Sequence, residues 1–270
     1  MIFDWYQAGI EAPSEVVIGH LSTALDLADV EPATPKNGYA QAVKLVRGSH
    51  SLAEVSWGGN TGGRVLVKGS GSDSPEIARI LREKWRRHQV VRADVCEDFD
   101  EPHAFEILSG MLIKVADQHR LKVTHYGDWH RGEEGRTLYI GSRQSCVYLR
   151  LYEKGHQLRS KGLDSVSLDW ARLEVEVKAK QPAARYHLST LEPDEFMGCS
   201  SWTEQVARMV LDASLERVTG LGTVKRPSDR DRALAALVRQ YGRHLEGVRS
   251  DEGSWEAVGR LLGSMVDRRR

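Results

Sequence analysis

Between Thr137 and Gly155 the chain reads TLYIGSRQSCVYLRLYEKG, a pattern that fits two short strands joined by a tight turn at Gly141, Ser142 and Arg143. Successive side chains of a strand point to opposite faces of the sheet. Leu149 and Leu151 therefore share one face, while Tyr148, Arg150, Tyr152 and Lys154 share the other. One face is suited to a core, so the segment demands a sheet with one covered side. Its polar side is unusual in carrying two phenols and two cations in register. A tyrosine between an arginine and a lysine suits attack on a phosphate, because the cations favour the phenolate and offset charge at the transition state. An ordinary exposed strand with cross-strand pairs has the same pattern, so this segment alone leaves both readings open.

Two further segments repeat the design. In VVRADVCEDF, Val90 to Phe99, one face holds Val91, Ala93, Val95 and Phe99, with Glu97 as the exception, and the other holds Arg92, Asp94, Cys96 and Asp98. In ARLEVEVK, Ala171 to Lys178, Leu173, Val175 and Val177 oppose Arg172, Glu174, Glu176 and Lys178. Carboxylates at i and i+2 on two strands converge if the strands are neighbours. An all-oxygen cluster of that kind suits a hard cation such as magnesium or manganese. Surface salt-bridge ladders also look like this.

Together with Asp4-Trp5-Tyr6-Gln7-Ala8 near the start, these three blocks resemble the replication initiation factor family, the rolling-circle initiators of certain plasmids and filamentous phages and related conjugative relaxases. The resemblance rests on Arg92-Ala93-Asp94, then Tyr139-Ile140-Gly141-Ser142-Arg143-Gln144-Ser145, then Arg150-Leu151-Tyr152-Glu153-Lys154, then Arg172 through Lys178, in that order. It spans about the first 180 to 200 residues. It implies a site-specific nick at an origin, with a tyrosine left joined to the 5′ phosphate. The family's nucleophile corresponds to Tyr152; Tyr148 and Tyr139 are then structural or DNA-contacting. The resemblance also implies a divalent metal, Mg2+ or Mn2+, held by Asp94 and Glu174, with Glu176 and Asp98 as further ligands. Arg150 and Lys154 are the cations nearest the tyrosine. Arg143 or Arg172 would clamp the phosphate, and Lys178, Arg86 and Arg87 would contact DNA. The other large class of rolling-circle nickases binds metal through a His-apolar-His triplet, and none occurs here: His125 and His130 lie five residues apart.

Composition bounds these expectations without deciding them. A chain of 270 residues, 40% hydrophobic and 28% charged, fits one large soluble domain or two smaller ones. No apolar run is long enough to span a membrane and no signal-peptide pattern opens the chain, so a cytoplasmic location is expected, with no membrane partner. Cys96, Cys146 and Cys199 are too scattered for a disulfide framework or a C-x-x-C zinc pair. Zero formal net charge argues against DNA binding, because counterion release supplies much of such affinity. The charge is unevenly spread, however: Leu81 to Arg92 carries five arginines or lysines against one glutamate, while acids gather around Glu97 to Glu101.

The remaining pattern predicts an α+β fold, an antiparallel sheet with flanking helices, followed by a helical C-terminal segment. Strands are expected at the opening, at Ala40 to Arg47, Ser51 to Trp57 and Arg64 to Lys68. Helices are expected from Pro13 to about Ala28, Ser74 to about His88 and Pro102 to His119. A strand-then-helix order occurs twice before Leu121, and the family fold consists of two similar halves. The segment Gly58 to Gly63 lacks the lysine-hydroxyl ending of a phosphate loop and reads as a hairpin tip. Glu195 to Arg217, a stretch capped by Pro227-Ser228-Asp229 and running to about Leu245, and Ser254 to Asp267 read as helices. Residues 1–195 are thus expected to form the nicking domain, and residues 196–270 a helical segment for origin recognition or dimerisation.

The leading expectation is a rolling-circle initiator acting on origin DNA, supercoiled and single-stranded at the nick, with a homodimer and a host helicase as further partners. A conjugative relaxase shares the chemistry. A non-catalytic DNA-binding regulator, or a nuclease with water as nucleophile, are the readings from other classes.

Overall fold

The computed structural model describes residues 1–132, 134–211 and 229–268. Strand β1 (Ile2–Ile10) leads into helix α1 (Ser14–Ala24), then β2 (Asp29–Pro32), β3 (Gln41–Arg47), β4 (His50–Trp57) and β5 (Val65–Ser70), and helix α2 (Ser74–Lys84) follows. The same order then recurs. Strand β6 (Gln89–Phe99) leads into α3 (Ala104–Gln118), then β7 (Val123–Tyr126), β8 (Thr137–Gly141), β9 (Val147–Glu153), the short α4 (Lys154–Arg159) and β10 (Ala171–Lys178), with α5 (Pro182–Leu188) after it.

Among the described residues, these ten strands join one antiparallel sheet in the order β2-β3-β4-β5-β1-β6-β10-β9-β8-β7. In each half the first strand sends off a helix and is then rejoined by the last strand of a four-strand meander. The two halves meet at β1 and β6, which pair antiparallel, so a pseudo-twofold axis passes between them. The two-halves expectation is therefore borne out by topology.

One sheet face is the core side. Tyr6 and Ala8 of β1, Ala93 and Val95 of β6, Val175 and Val177 of β10, and Leu149 and Leu151 of β9 are buried there. Helix α2 brings Ile77, Ala78, Ile80 and Leu81 to this core, with Pro75 opening it and Arg82 and Lys84 in its last turn. Helix α3 adds Phe105, Leu108, Leu112, Val115 and Ala116, one stripe at helical spacing. Burying a side chain of this size contributes about 1.5–3 kcal/mol, so these stripes fix which side of the sheet the helices cover. The other side carries the charged residues of the acidic strands and of β9.

Several boundaries differ from expectation for local reasons. Strands β2 and β7 were not legible, because each has four residues, most of them exposed and without alternation. Helix α4 between β9 and β10 was not legible either, because it has only six residues. The expected helix from Glu195 splits into a 3-10 segment, Asp194–Cys199, and α6 (Ser201–Val210), whose N-cap Ser200 accepts a hydrogen bond from the Thr203 backbone N–H. The remainder of that expected helix, and its neighbour's Pro227-Ser228 cap, lie outside the described residues.

The chain forms two compact units, Met1–Val224 and Lys225–Arg270. A boundary between residues 195 and 196 falls inside the first unit, because Phe196, Met197, Trp202 and Val206 are buried in its core. The second unit contains α7 (Asp229–Glu252) and α8 (Trp255–Asp267), and α7 extends beyond its expected end at Leu245. The apolar stripe Leu234, Leu237, Val238 and Tyr241 of α7 is exposed. Among the described residues no helix is long and apolar enough to cross a membrane.

Candidate functional site

The site follows from strand register. Asp94 lies opposite Glu176, and Glu176 lies opposite Tyr148. One step along, Glu174 lies opposite Arg150; a further step along, Asp98, Arg172, Tyr152 and Thr137 form a cross-strand row. The period of two puts all these side chains on the sheet face that the helices leave uncovered. Neighbouring strands are about 4.8 Å apart, so residues distant in sequence become contacts without any loop having to deliver them.

Three carboxylates and three cations form the centre. Arg92 grips Asp94 through Nε and Nη2 at 2.8 and 2.5 Å and reaches Glu176 at 2.8 Å. Arg150 donates to Glu174 and lies 3.4 Å from Asp94. Lys178 sits 2.5 Å from Glu176. Asp94 and Glu174 are each only 1% exposed, so the arginines are what keeps these charges from being stranded in a poorly hydrated place. Burial pushes the Asp94 carboxyl above its ordinary range; Arg92 and Arg150 oppose that rise and Glu176 adds to it.

Tyr152 borders this cluster. The direct cross-strand partner of Tyr152 is Arg172, which is held by both oxygens of Asp98 at 2.7 Å and by Asp4 at 2.8 Å. Asp4 reaches it because β1 slips register between Phe3 and Trp5, where two steps on β1 match one on β6. The Lys154 ammonium lies 5.6 Å from the Tyr152 ring centroid and donates to Gln157. Gly155 lets α4 start here: a Cβ on it would come within 1.9 Å of the Ser167 carbonyl oxygen. A cavity of about 330 Å3 is lined by Asp4, Tyr139, Arg150, Tyr152, Lys154 and Glu174. Tyr152 also lines a second cavity of about 720 Å3, with Arg136, Glu153 and His156.

The phenol is not activated by its surroundings alone. Burial pushes Tyr152 up to about 12, and the lowering influence of Arg172 and Arg150 does not overcome it. Burial also lowers Lys154, helped by Arg172. Expected activation by the two neighbouring cations is thus outweighed by desolvation in the free protein.

The expected site residues divide by place. Tyr152, Arg150, Lys154, Asp94, Glu174 and Glu176 come together, and Lys178 joins through Glu176. Lys154 does so from the first turn of α4, not from β9. Asp98 and Arg172 form a separate pair at the Tyr152 end of the face, so Asp98 is engaged by an arginine and by the Trp170 indole at 2.8 Å. Arg143 is at the far turn, where its guanidinium lies 5.9 Å from the Tyr139 ring, itself stacked on Tyr148 at 5.7 Å. Arg86 and Arg87 sit between α2 and β6, at the opposite end of β6 from Asp98, with Arg87 over Tyr186. Sequence reasoning gave Asp4, Gln157 and Lys161 no role. Only Asp4 left a signal, through its place in the DWYQA block.

Whether a divalent cation fits is decided by the donors. Among the described residues no three His, Cys, Asp or Glu side chains are grouped as a ready-made metal site. The guanidinium of Arg150 already offsets the charges of Glu174 and Asp94. The chemistry nonetheless suits a divalent ion: the donors are carboxylate oxygens, the hard ligands such an ion prefers, and Lys178 and the two arginines now offset their charge.

Comparison with known proteins agrees with this picture. Residues 111–209 match the family model described as replication initiation factor. No curated protein matches the sequence. The fold is similar to the solved structure of a rolling circle replication initiator protein from Geobacillus stearothermophilus, at 19% identity and a TM-score of 0.53, over 85% of this chain and 89% of that one. The resemblance to the replication initiation factor family is borne out over the matched span, and the chain has a replication-initiator fold.

Proposed function

We propose that the protein is a rolling-circle replication initiator that nicks one strand of origin DNA through Tyr152. The observation that carries this reading is the shared cavity: the Tyr152 phenol, with Tyr139 beside it, three cations (Arg150, Lys154, Lys161) and Glu174 of the charged cluster line one space. In the proposed step the Tyr152 Oη attacks the scissile phosphorus and the bond to the 3′ oxygen breaks. The phenol gives up its proton and the departing 3′ oxygen takes one up. A 5′-phosphotyrosyl bond and a free 3′ hydroxyl result, and reversal by that hydroxyl rejoins the strand.

Arg150 and Lys154 offset the charge of the attacked phosphate, and Arg172 fixes the strand position of Tyr152 through its bonds to Asp98 and Asp4. Asp94, Glu174 and Glu176 would hold Mg2+ or Mn2+, which supplies Lewis-acid polarisation of the phosphate when bound. Arg150 would then exchange its carboxylate contacts for the phosphate. Cations gathered around a bound phosphate would lower the Tyr152 phenol, against the phosphate's own negative charge, which raises it. On this reading the protein acts in the cytoplasm, with a second copy and a host helicase taking part after the nick.

The test is incubation of the protein with supercoiled plasmid carrying the cognate origin and Mg2+ or Mn2+. A relaxed product with protein attached to DNA is expected. Origin binding without cleavage would favour a DNA-binding regulator, and cleavage without attachment a water-using nuclease.

A further inference from the structure

The first half of the sheet has no tyrosine–carboxylate site, yet its uncovered face is not plain surface. A cross-strand row runs Lys44, Glu54, Lys68, Gln7, Arg92, Lys178 from β3 to β10. By the pseudo-twofold order, β4 and β5 correspond to β9 and β10. The ion pair between Lys68 and Glu54, at 2.5 Å, occupies the same strand pair as Arg150 and Glu174 in the second half, with the charges exchanged. Beside it lies Trp5, opposite Asp94 in register. The Trp5 ring has the Arg92 guanidinium 4.6 Å and the Lys68 ammonium 5.4 Å from its centroid.

A cavity of about 190 Å3 opens next to this indole, lined among others by Trp5, Gln7, Asn37, Tyr39, Ser56 and Lys68. Its size is enough for several waters. The loop over it is held by backbone contact with the glycine-rich tip between β4 and β5. Gly59 has φ +72°, and a Cβ there would fall 2.2 Å from the Gly38 carbonyl oxygen. The glycines that do not form a phosphate loop therefore seat Asn37 and Tyr39 against the cavity.

We propose that this cavity binds a nucleobase of the single strand lying across the sheet, a few nucleotides from the phosphate at Tyr152. The inference rests on the reading that the uncovered face handles single-stranded DNA. Two aromatic side chains offer stacking surfaces, which are tolerant of base identity. The Asn37 and Gln7 amides and the Ser56 hydroxyl match the polar edge of a base, and Lys68 matches a backbone phosphate. Strand spacing sets the reach: β9 and β1 are three steps apart, about 14 Å, and Trp5 is in register with Tyr148, four residues or about 13 Å along β9 from Tyr152, so the direct span is about 19 Å. Arg92 touches both the Trp5 ring and the carboxylates Asp94 and Glu176, so the cavity adjoins the charged centre directly.

The test is fluorescence anisotropy of the full chain with fluorescein-labelled oligothymidylate and with an abasic oligomer of equal length. Trp5 sits in a central strand, so the probes are Tyr39→Ala and Asn37→Gly; the latter keeps a backbone with φ +55° and removes only the amide. Tyr39→Ala should weaken oligothymidylate about tenfold and leave the abasic oligomer within about twofold of wild type. Equal losses on both probes, or none on either, would overturn the proposal. If wild type forms a phosphotyrosyl adduct while the base-dependent loss is absent, the pocket fails and the nicking reading stands. If the base-dependent loss occurs without any adduct, the pocket stands and the nicking reading fails.

Discussion

Tyr152 and Arg172 face each other across β9 and β10, and Arg172 spends its guanidinium on Asp98 and Asp4, not on the phenol. The arginine is therefore a fastener joining β1, β6 and β10 beside the tyrosine. It was expected to contact DNA; its burial and its two carboxylates leave it little surface for that.

Arg172→Ala should consequently act on stability. Removing one partner of a buried ionic network leaves the others unpaired, which costs about 3 kcal/mol. Urea denaturation would show the loss, and Arg172→Lys should recover only part of it, because an ammonium cannot span two carboxylates as a planar fork does. A variant as stable as wild type would refute this role.

Arg150 is predicted to compete with a divalent cation. With Arg150→Ala, Glu174 and Asp94 lose a shared cation, and Mn2+ should bind about tenfold tighter, the order of one charge contact largely screened by water. Titration calorimetry with Mn2+ alone measures this without any DNA. Unchanged or weaker binding would contradict the assignment of these carboxylates.

Alkaline stability gives an independent check on burial. Tyr6 and Tyr152 are both pushed up to about 12 by burial, above the ordinary phenol value of 10. Below pH 10 both phenols are protonated whether the chain is folded or not. Between pH 10 and about 12 the unfolded chain releases protons first, so stability falls as pH rises. Tyr6→Phe should flatten that decline, and absorbance of ionised tyrosine should rise together with unfolding. Two tyrosines titrating near 10 in the folded protein would contradict it.

Gly155→Ala should lower adduct yield strongly. Its Cβ cannot fit against the Ser167 carbonyl, so α4 must shift and carry Lys154 and Gln157 away from Tyr152. Comparing cleavage yield with the urea midpoint separates the two effects: yield should fall further than stability explains.

Much of this was legible before folding. The alternation in Ala171 to Lys178 and in Val147 to Glu153 announced strands with one charged side, since a period of two can bury only one face. The duplication left traces in the repeated strand–helix order. What strand patterns cannot show is adjacency. That Asp94 would face Glu176, or that Asp4 would reach Arg172 through a bulge, depends on which strands become neighbours. Arginine pairing was also hidden: Arg150 read as a cation beside the tyrosine and Arg92 had no assigned role, yet the first partners of both are the carboxylates beside them. Edge strands such as β7 bury too little to leave a pattern, and α4 is too short to show a periodic face.

The central claim is that Tyr152 becomes covalently joined to DNA. Origin DNA carrying a radiolabelled scissile phosphate, incubated with the protein and Mg2+ or Mn2+, then digested with nuclease and trypsin, tests it most directly. Label is expected on the peptide containing Tyr152, and none with Tyr152→Phe. Label persisting in Tyr152→Phe, on a peptide with Tyr148 or Tyr139, would contradict it.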